Sequence, residues 1–149
     1  MSAYDKINIA LIGATGYTGL DLILMLSKHP KVRIKYLCAT KNLGKKISFF
    51  DKRIKKKLPK ISSVKKINWK VLDLVFLSLP NGEAQKLINK TFLINKDLKF
   101  IDLSADFRIS NSKIYEKNYK IKHKAKNLIQ KSIYKINHQL YLEFFLRVI

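Results

Sequence analysis

Residues Ile7 to Gly19 read Ile-Asn-Ile-Ala-Leu-Ile-Gly-Ala-Thr-Gly-Tyr-Thr-Gly: an apolar run ends in glycine, glycine returns twice at three-residue spacing, and a helical pattern follows at once. Strand, tight turn and helix N-terminus in that order form a surface that holds a diphosphate. Gly13 makes the turn, Gly16 lets the main chain approach the phosphates, and Gly19 lets the helix lie close to the strand. The first helical turn adds unpaired N–H groups and the positive end of its dipole. The pattern predicts a dinucleotide site built from Gly13, Thr15, Gly16, Tyr17, Thr18 and Gly19. The alternative on the residues alone is a glycine-rich turn with no ligand.

The rest of the chain repeats the strand-then-helix order. Strands are expected at Ile7 to Ile12, Val32 to Leu37, Leu72 to Leu79 and Lys99 to Leu103, with a short one at Ile61 to Val64. Helices are expected at Thr18 to Lys28, with Leu20, Ile23, Leu24 and Ser27 facing inward, and from Glu83 to Asn89. Residues 38 to 60 read as a long surface excursion. The pattern weakens after Ser110: Ile114 to Tyr119 and Ala125 to Gln130 suggest short helices, and Ile133 to Ile136 a strand. Alternation of this kind predicts an α/β fold, a Rossmann-like doubly wound and mostly parallel sheet with helices on both faces. One domain over residues 1–139 is expected. The apolar stretch 140–149 has no cap or turn, and the chain reads as cut short there.

Composition removes several function classes. No apolar run approaches the ~20 residues of a membrane span, and no signal-peptide core opens the chain. The single cysteine, Cys38, rules out an intrachain disulfide framework and a cysteine-rich metal site, and suits a reducing, cytoplasmic setting. The net charge of +21 invites a nucleic-acid reading, yet arginine supplies only Arg33, Arg53, Arg108 and Arg147 of the 31 positive residues. Lysine excess alongside many isoleucines and asparagines fits compositional drift better than a selected polyanion site. The densest run, Lys45 to Lys66 with Asp51 as its one acid, is expected to be a solvated face that attracts nucleic acid only non-specifically.

Gly13-Ala-Thr-Gly16-Tyr-Thr-Gly19, Lys28-His29-Pro30, Gly44-Lys45, Leu77-Ser-Leu-Pro80-Asn-Gly82 and Ile101-Asp-Leu-Ser-Ala-Asp-Phe-Arg108 occur in this order. Together they resemble the N-terminal half of N-acetyl-gamma-glutamyl-phosphate reductase, of the semialdehyde-dehydrogenase superfamily, over roughly residues 6 to 135. The resemblance implies reduction of an acyl phosphate to an aldehyde in arginine biosynthesis, through a thioester on a cysteine and with NADP(H) as cofactor. It implies a second, larger domain that carries the catalytic groups and the homo-oligomer interface. The family's nucleophilic cysteine, in a Pro-Gly-Cys-Tyr-Pro-like segment, and its acid/base histidine have no counterpart here, so no catalytic residue is assigned. Cys38 is expected to pack under the sheet edge, His29 to cap a helix, and His123 and His138 to lie on the surface.

NAD-binding domains usually carry Asp or Glu after the second strand to hold the ribose hydroxyls. Here Cys38-Ala39-Thr40-Lys41-Asn42 has no acid, and Thr40 and Lys41 suit a 2′-phosphate instead. Pro80, Asn81 and Gly82 follow a buried strand at the expected ligand edge, where they contact cofactor or form a geometric turn. In the family the loop with Ser104, Asp106 and Arg108 borders the active site, so Arg108 is expected to meet substrate or phosphate. The structural alternative has Asp106 capping the backbone that follows it and pairing with Arg108.

Three functions compete on these grounds. The chain is the cofactor half of an acyl-phosphate reductase and inactive alone, a stand-alone NADP-binding or regulatory module, or a basic nucleic-acid-binding protein. The last has no aromatic RNA-binding signature and ranks behind the others.

Overall fold

A computed structural model of the chain describes residues 6–135 and 146–148. Strand β1 (Ile7–Ile12) leads into α1 (Tyr17–Lys28) and β2 (Val32–Cys38); β3 (Ile61–Ser62), β4 (Leu74–Leu77), α2 (Glu83–Thr91) and β5 (Lys99–Asp102) follow. Helices α3 (Ser112–Tyr119) and α4 (Lys126–Ile129) and strands β6 (Ile133–Lys135) and β7 (Leu146–Val148) complete the described part. The sheet order is β3-β2-β1-β4-β5-β7-β6. The first five strands are parallel, and the β5–β7 and β7–β6 pairs are antiparallel. The chain winds outward from β1 through β2 to β3, then restarts on the other side of β1 with β4. That reversal makes a topological switch point at the carboxyl ends of β1 and β4, where open α/β sheets form the crevice that binds ligands.

Alternating residues of each strand supply two cores. Ile9, Leu11 and Phe76 pack with Leu22 and Ile23 of α1, while Ala10, Ile12, Val75 and Leu77 pack with Ala84 and Ile88 of α2. Helices therefore cover both faces, as the alternation predicts. In β2 the register shifts between Ile9 and Ala10 of its neighbour, so Ile9 pairs with Ile34 and Ala10 with Tyr36. A bulge of this kind swaps the faces. Val32, Ile34 and Leu37 reach the α1 side, and Tyr36 and Cys38 reach the other.

Three sequence expectations change. The 38–60 excursion is pinned rather than merely solvated: Ile47 and Ile54 are buried under α1, and Arg53 forks onto Asp51 and reaches Asp21 of α1. His123 is buried, not at the surface. Cys38 lies inside the sheet between β1 and β3, fully buried, rather than under an edge. Of the stretch 140–149, residues Leu146–Val148 form β7; His138 and the remainder lie outside the described residues. No helix among the described residues is long and apolar enough to cross a membrane.

Candidate functional site

The β1–α1 turn is held from below by one carbonyl. Gly13 and Ala14 both donate their N–H to the Cys38 oxygen, at 2.9 and 3.0 Å, and the Gly16 N–H closes onto the Gly13 carbonyl at 3.1 Å. Gly13 sits at φ +89, and a Cβ there would stand 1.9 Å from the Ser78 carbonyl oxygen. The ends of β1 and β4 thus touch through a missing side chain. A Cβ on Gly19 would meet the Gly13 oxygen at 2.3 Å, so the helix closes on the turn for the same reason.

Gly16 differs. Its φ of −76 and ψ of 160 suit any residue, and an added Cβ would make only an ordinary 3.5 Å contact. The protein itself has no need of glycine there. Beyond it α1 opens with no side-chain cap and no acid in its first turn. The N–H groups of Tyr17, Thr18 and Gly19 begin the helix and have no intrahelical acceptor, so the positive helix end faces the crevice. Thr18 is exposed, Thr15 half-buried, and the Tyr17 ring 93% exposed.

Thr40 and Lys41 lie exposed just past β2, before a turn with left-handed Asn42 and Gly44. No carboxylate occurs from Cys38 through Phe50. Pro80 and Asn81 are exposed at the end of β4, and Gly82 is the buried N-cap of α2. The predicted cofactor residues thus fall on three loops at one end of the sheet.

The loop after β5 departs from the structural alternative. Asp106 does not cap the backbone following it. Its carboxylate reaches back to α2, where Oδ1 accepts from the Gly82 N–H at 2.7 Å and Oδ2 from the Gln85 N–H at 3.1 Å. Oδ1 also accepts from the Tyr115 hydroxyl at 2.7 Å. Arg108 donates from Nε to the Ser104 carbonyl at 3.1 Å, not to Asp106 as the structural alternative had it. Ser104 donates its N–H and its hydroxyl to the two oxygens of Asp102, both at 2.9 Å. Sequence reasoning missed Tyr115, Gln85 and His123. Nothing local marks them, because their partners sit on other elements.

Histidine 123 accepts the Ala125 N–H at Nδ1, so Nε2 carries the hydrogen and donates to the Asp106 carbonyl at 2.9 Å. Burial pushes its pKa down, and the ring is a neutral structural group. His29 ends α1 as its C-cap, as expected: its N–H donates to the Leu26 carbonyl and its Nδ1 accepts from Lys31. Burial raises the Cys38 thiol, 3.7 Å from the Ser62 hydroxyl, which keeps it protonated and a poor nucleophile. Among the described residues no group of His, Cys, Asp and Glu is placed to hold a metal ion.

Burial lifts the Asp102 carboxyl to about 6, against a partial lowering by its two bonds from Ser104. In the unfolded chain it ionises near 3.9. The folded state therefore binds the extra proton between those values, so this group favours folding below pH 4 and its contribution fades as pH rises through 6. The linkage is on the order of 2–3 kcal/mol. Urea unfolding of wild type and Asp102→Asn across pH 4 to 7 is expected to show the wild type losing ground to the variant as pH rises; parallel profiles contradict the assignment.

Residues 8–137 match the family described as semialdehyde dehydrogenase, NAD binding domain. A relative from Ehrlichia canis named N-acetyl-gamma-glutamyl-phosphate reductase is 39% identical over 138 residues, covering 91% of this chain and 39% of that protein. A probable chloroplastic reductase of the same name from Oryza sativa subsp. japonica is 35% identical, over 91% of this chain and 32% of its own length. The chain thus spans about two-fifths or less of the curated relatives it matches. Among solved structures, aspartate semialdehyde dehydrogenase with NADP from Candida albicans aligns at a TM-score of 0.55 and 26% identity, over 72% of this chain and 32% of that one. A Vibrio cholerae aspartate semialdehyde dehydrogenase II, at TM-score 0.51 and 19% identity, shares the fold. The turn, the switch point between β1 and β4 and these matches agree: the chain belongs to the semialdehyde dehydrogenase NAD-binding domain family.

Proposed function

We propose that this chain holds NADP(H) in the crevice over β1 and β4, as the coenzyme-binding part of an N-acetyl-gamma-glutamyl-phosphate reductase. The observation that carries the reading is Gly16, bare although its own fold tolerates a side chain, beside an uncapped helix end. The N–H groups of Tyr17, Thr18 and Gly19 would take the diphosphate, with Thr15 and Thr18 adding hydroxyl donors and the Tyr17 ring covering one side. Thr40 and Lys41 would receive the 2′-phosphate, with no nearby carboxylate to repel it. Pro80, Asn81 and Gly82 would border the nicotinamide half, and Ser104 and Arg108 the substrate side. Asp106 would act from behind, since its carboxylate is committed to α2.

Bound NADPH supplies the hydride that converts an acyl phosphate to an aldehyde with release of phosphate. These residues bind and orient it. Cys38 is buried and its thiol pKa is raised, so in this reading it is not the nucleophile of the cytoplasmic reductase.

Fluorescence titration at fixed salt tests the reading. NADPH is expected to bind roughly tenfold more tightly than NADH, the order of one charge-assisted contact. Lys41→Glu is expected to erase that preference. Equal affinities in the wild type remove the 2′-phosphate argument, and saturation by neither nucleotide removes the coenzyme reading.

A further inference from the structure

Helix α2 is capped from a distance. Its N-cap, Gly82, adopts φ +88 and brings no side chain, and the N–H groups of Gly82 and Gln85 are satisfied by a carboxylate 24 and 21 residues further on. That carboxylate, Asp106, is fully buried and takes a third donor, the Tyr115 hydroxyl. The same hydroxyl accepts from Gln85 Nε2 at 3.1 Å, and Gln85 Oε1 accepts the Lys124 N–H. Tyr115 is itself fully buried, tilted against Tyr119 at 4.7 Å and edge-on to His123 at 5.0 Å. Four pieces of chain therefore meet at one phenol: α2, the loop after β5, α3 and the segment that leads into α4.

Each hydrogen bond in this knot is directed, and Gln85, Asp106 and Tyr115 are fully buried, so a lost partner leaves a buried polar group unsatisfied. Gly82 lies inside the knot, while Pro80 and Asn81, directly before it, are exposed in the loop that leaves β4, whose first residue Ser78 meets Gly13. A shift of the phenol moves Asp106, Asp106 moves Gly82, and the exposed pair moves with it. The β1–α1 turn is anchored separately, on the Cys38 carbonyl.

We propose that Tyr115 is a positioning residue: its hydroxyl, clamped between Asp106 and Gln85, fixes the Pro80–Asn81–Gly82 loop for the nicotinamide half of the coenzyme. This rests on the coenzyme reading above. It assigns the two halves of the ligand to two independent supports, the Cys38 carbonyl for the diphosphate turn and the Tyr115 knot for the β4 loop.

The test compares NADP⁺ with adenosine 2′,5′-bisphosphate, which has the adenosine phosphates and no nicotinamide half, on the full chain at fixed salt. Tyr115→Phe keeps the ring packing and removes the hydroxyl. It is expected to weaken NADP⁺ roughly fivefold to tenfold, the scale of one or two lost hydrogen bonds, and to leave the bisphosphate unchanged. Equal loss for both ligands, or no loss for either, overturns the positioning role. A wild type that binds neither ligand sinks the coenzyme reading, and the positioning role with it. Amide exchange on the wild type decides the matter if the variant does not fold. NADP⁺, and not the bisphosphate, is expected to slow exchange at Gly82 and Gln85; identical protection by both, or by neither, overturns the proposal.

Discussion

Replacing Gly16 with valine is expected to remove most of the coenzyme affinity while the protein stays folded. The backbone there is extended, a conformation valine adopts freely, and the added Cβ meets the Gly13 oxygen at 3.5 Å, an ordinary contact. Exchanging glycine for valine at an N-cap costs about 1 kcal/mol, which leaves the domain folded. The isopropyl group, however, would occupy the space in front of the Tyr17, Thr18 and Gly19 N–H groups, where a phosphate must come within hydrogen-bond distance. A loss of about a hundredfold or more is expected, or roughly 3 kcal/mol of binding. Thermal unfolding and NADPH titration of the same sample check both halves. Retained affinity in a folded variant contradicts the role given to Gly16.

Gly13→Ala is expected to fail in the opposite way, by losing the fold. The left-handed backbone at φ +89 costs a side-chain-bearing residue about 1–2 kcal/mol before any contact is counted. The Cβ would also lie 1.9 Å from the Ser78 oxygen, a main-chain atom that cannot rotate away. Relief requires parting the ends of β1 and β4, which breaks the Ser78 N–H bond to the Ile12 carbonyl at 2.8 Å and loosens the pair of bonds to Cys38. A total of about 4 kcal/mol or more is expected, a large share of the 5–15 kcal/mol that holds a typical domain together. Urea unfolding followed by far-UV circular dichroism measures it. A midpoint close to wild type contradicts the close approach of the two strands.

The two glycines separate what was legible in the sequence from what was not. The β1–α1–β2 unit is readable because its signals are local: an apolar run, glycines at fixed spacing, and Pro30 after the helix. That Gly13 is required by β4 is not local, since Ser78 is 65 positions away and contributes only its backbone. The same limit hides the buried side of the lysine-rich excursion. Composition there says solvent, but Ile47 and Ile54 close the α1 face and the Arg53 fork holds Asp51 and Asp21. The face swap within β2 does leave a mark, since Val32 and Ile34 are two apart and Leu37 follows three later, but the spacing alone does not say which neighbouring strand takes up the shift.

The loop after β5 shows the limit at the site itself. The loop follows β5 as its sequence suggests, yet the direction of Asp106 depends on an α2 whose own N-cap has no side chain, and on a tyrosine that reads as one more helix residue. His123 sits in a lysine-rich stretch, and only the Asp106 carbonyl and the Phe107 and Tyr115 rings around it explain its burial. The string Asp102 to Arg108 carries the family resemblance in its own letters; the contacts that support the loop come from other elements and are not written there.

A titration of ¹⁵N-labelled protein with NADPH at fixed physiological salt tests the central claim most directly. Saturable amide shifts concentrated at Gly16, Tyr17, Thr18 and Gly19 are the expected result, because these N–H groups would grip the diphosphate. Shifts spread instead over the lysines between Lys45 and Lys66, fading as salt rises, would mean that charge alone holds the nucleotide and that the turn is not its cradle.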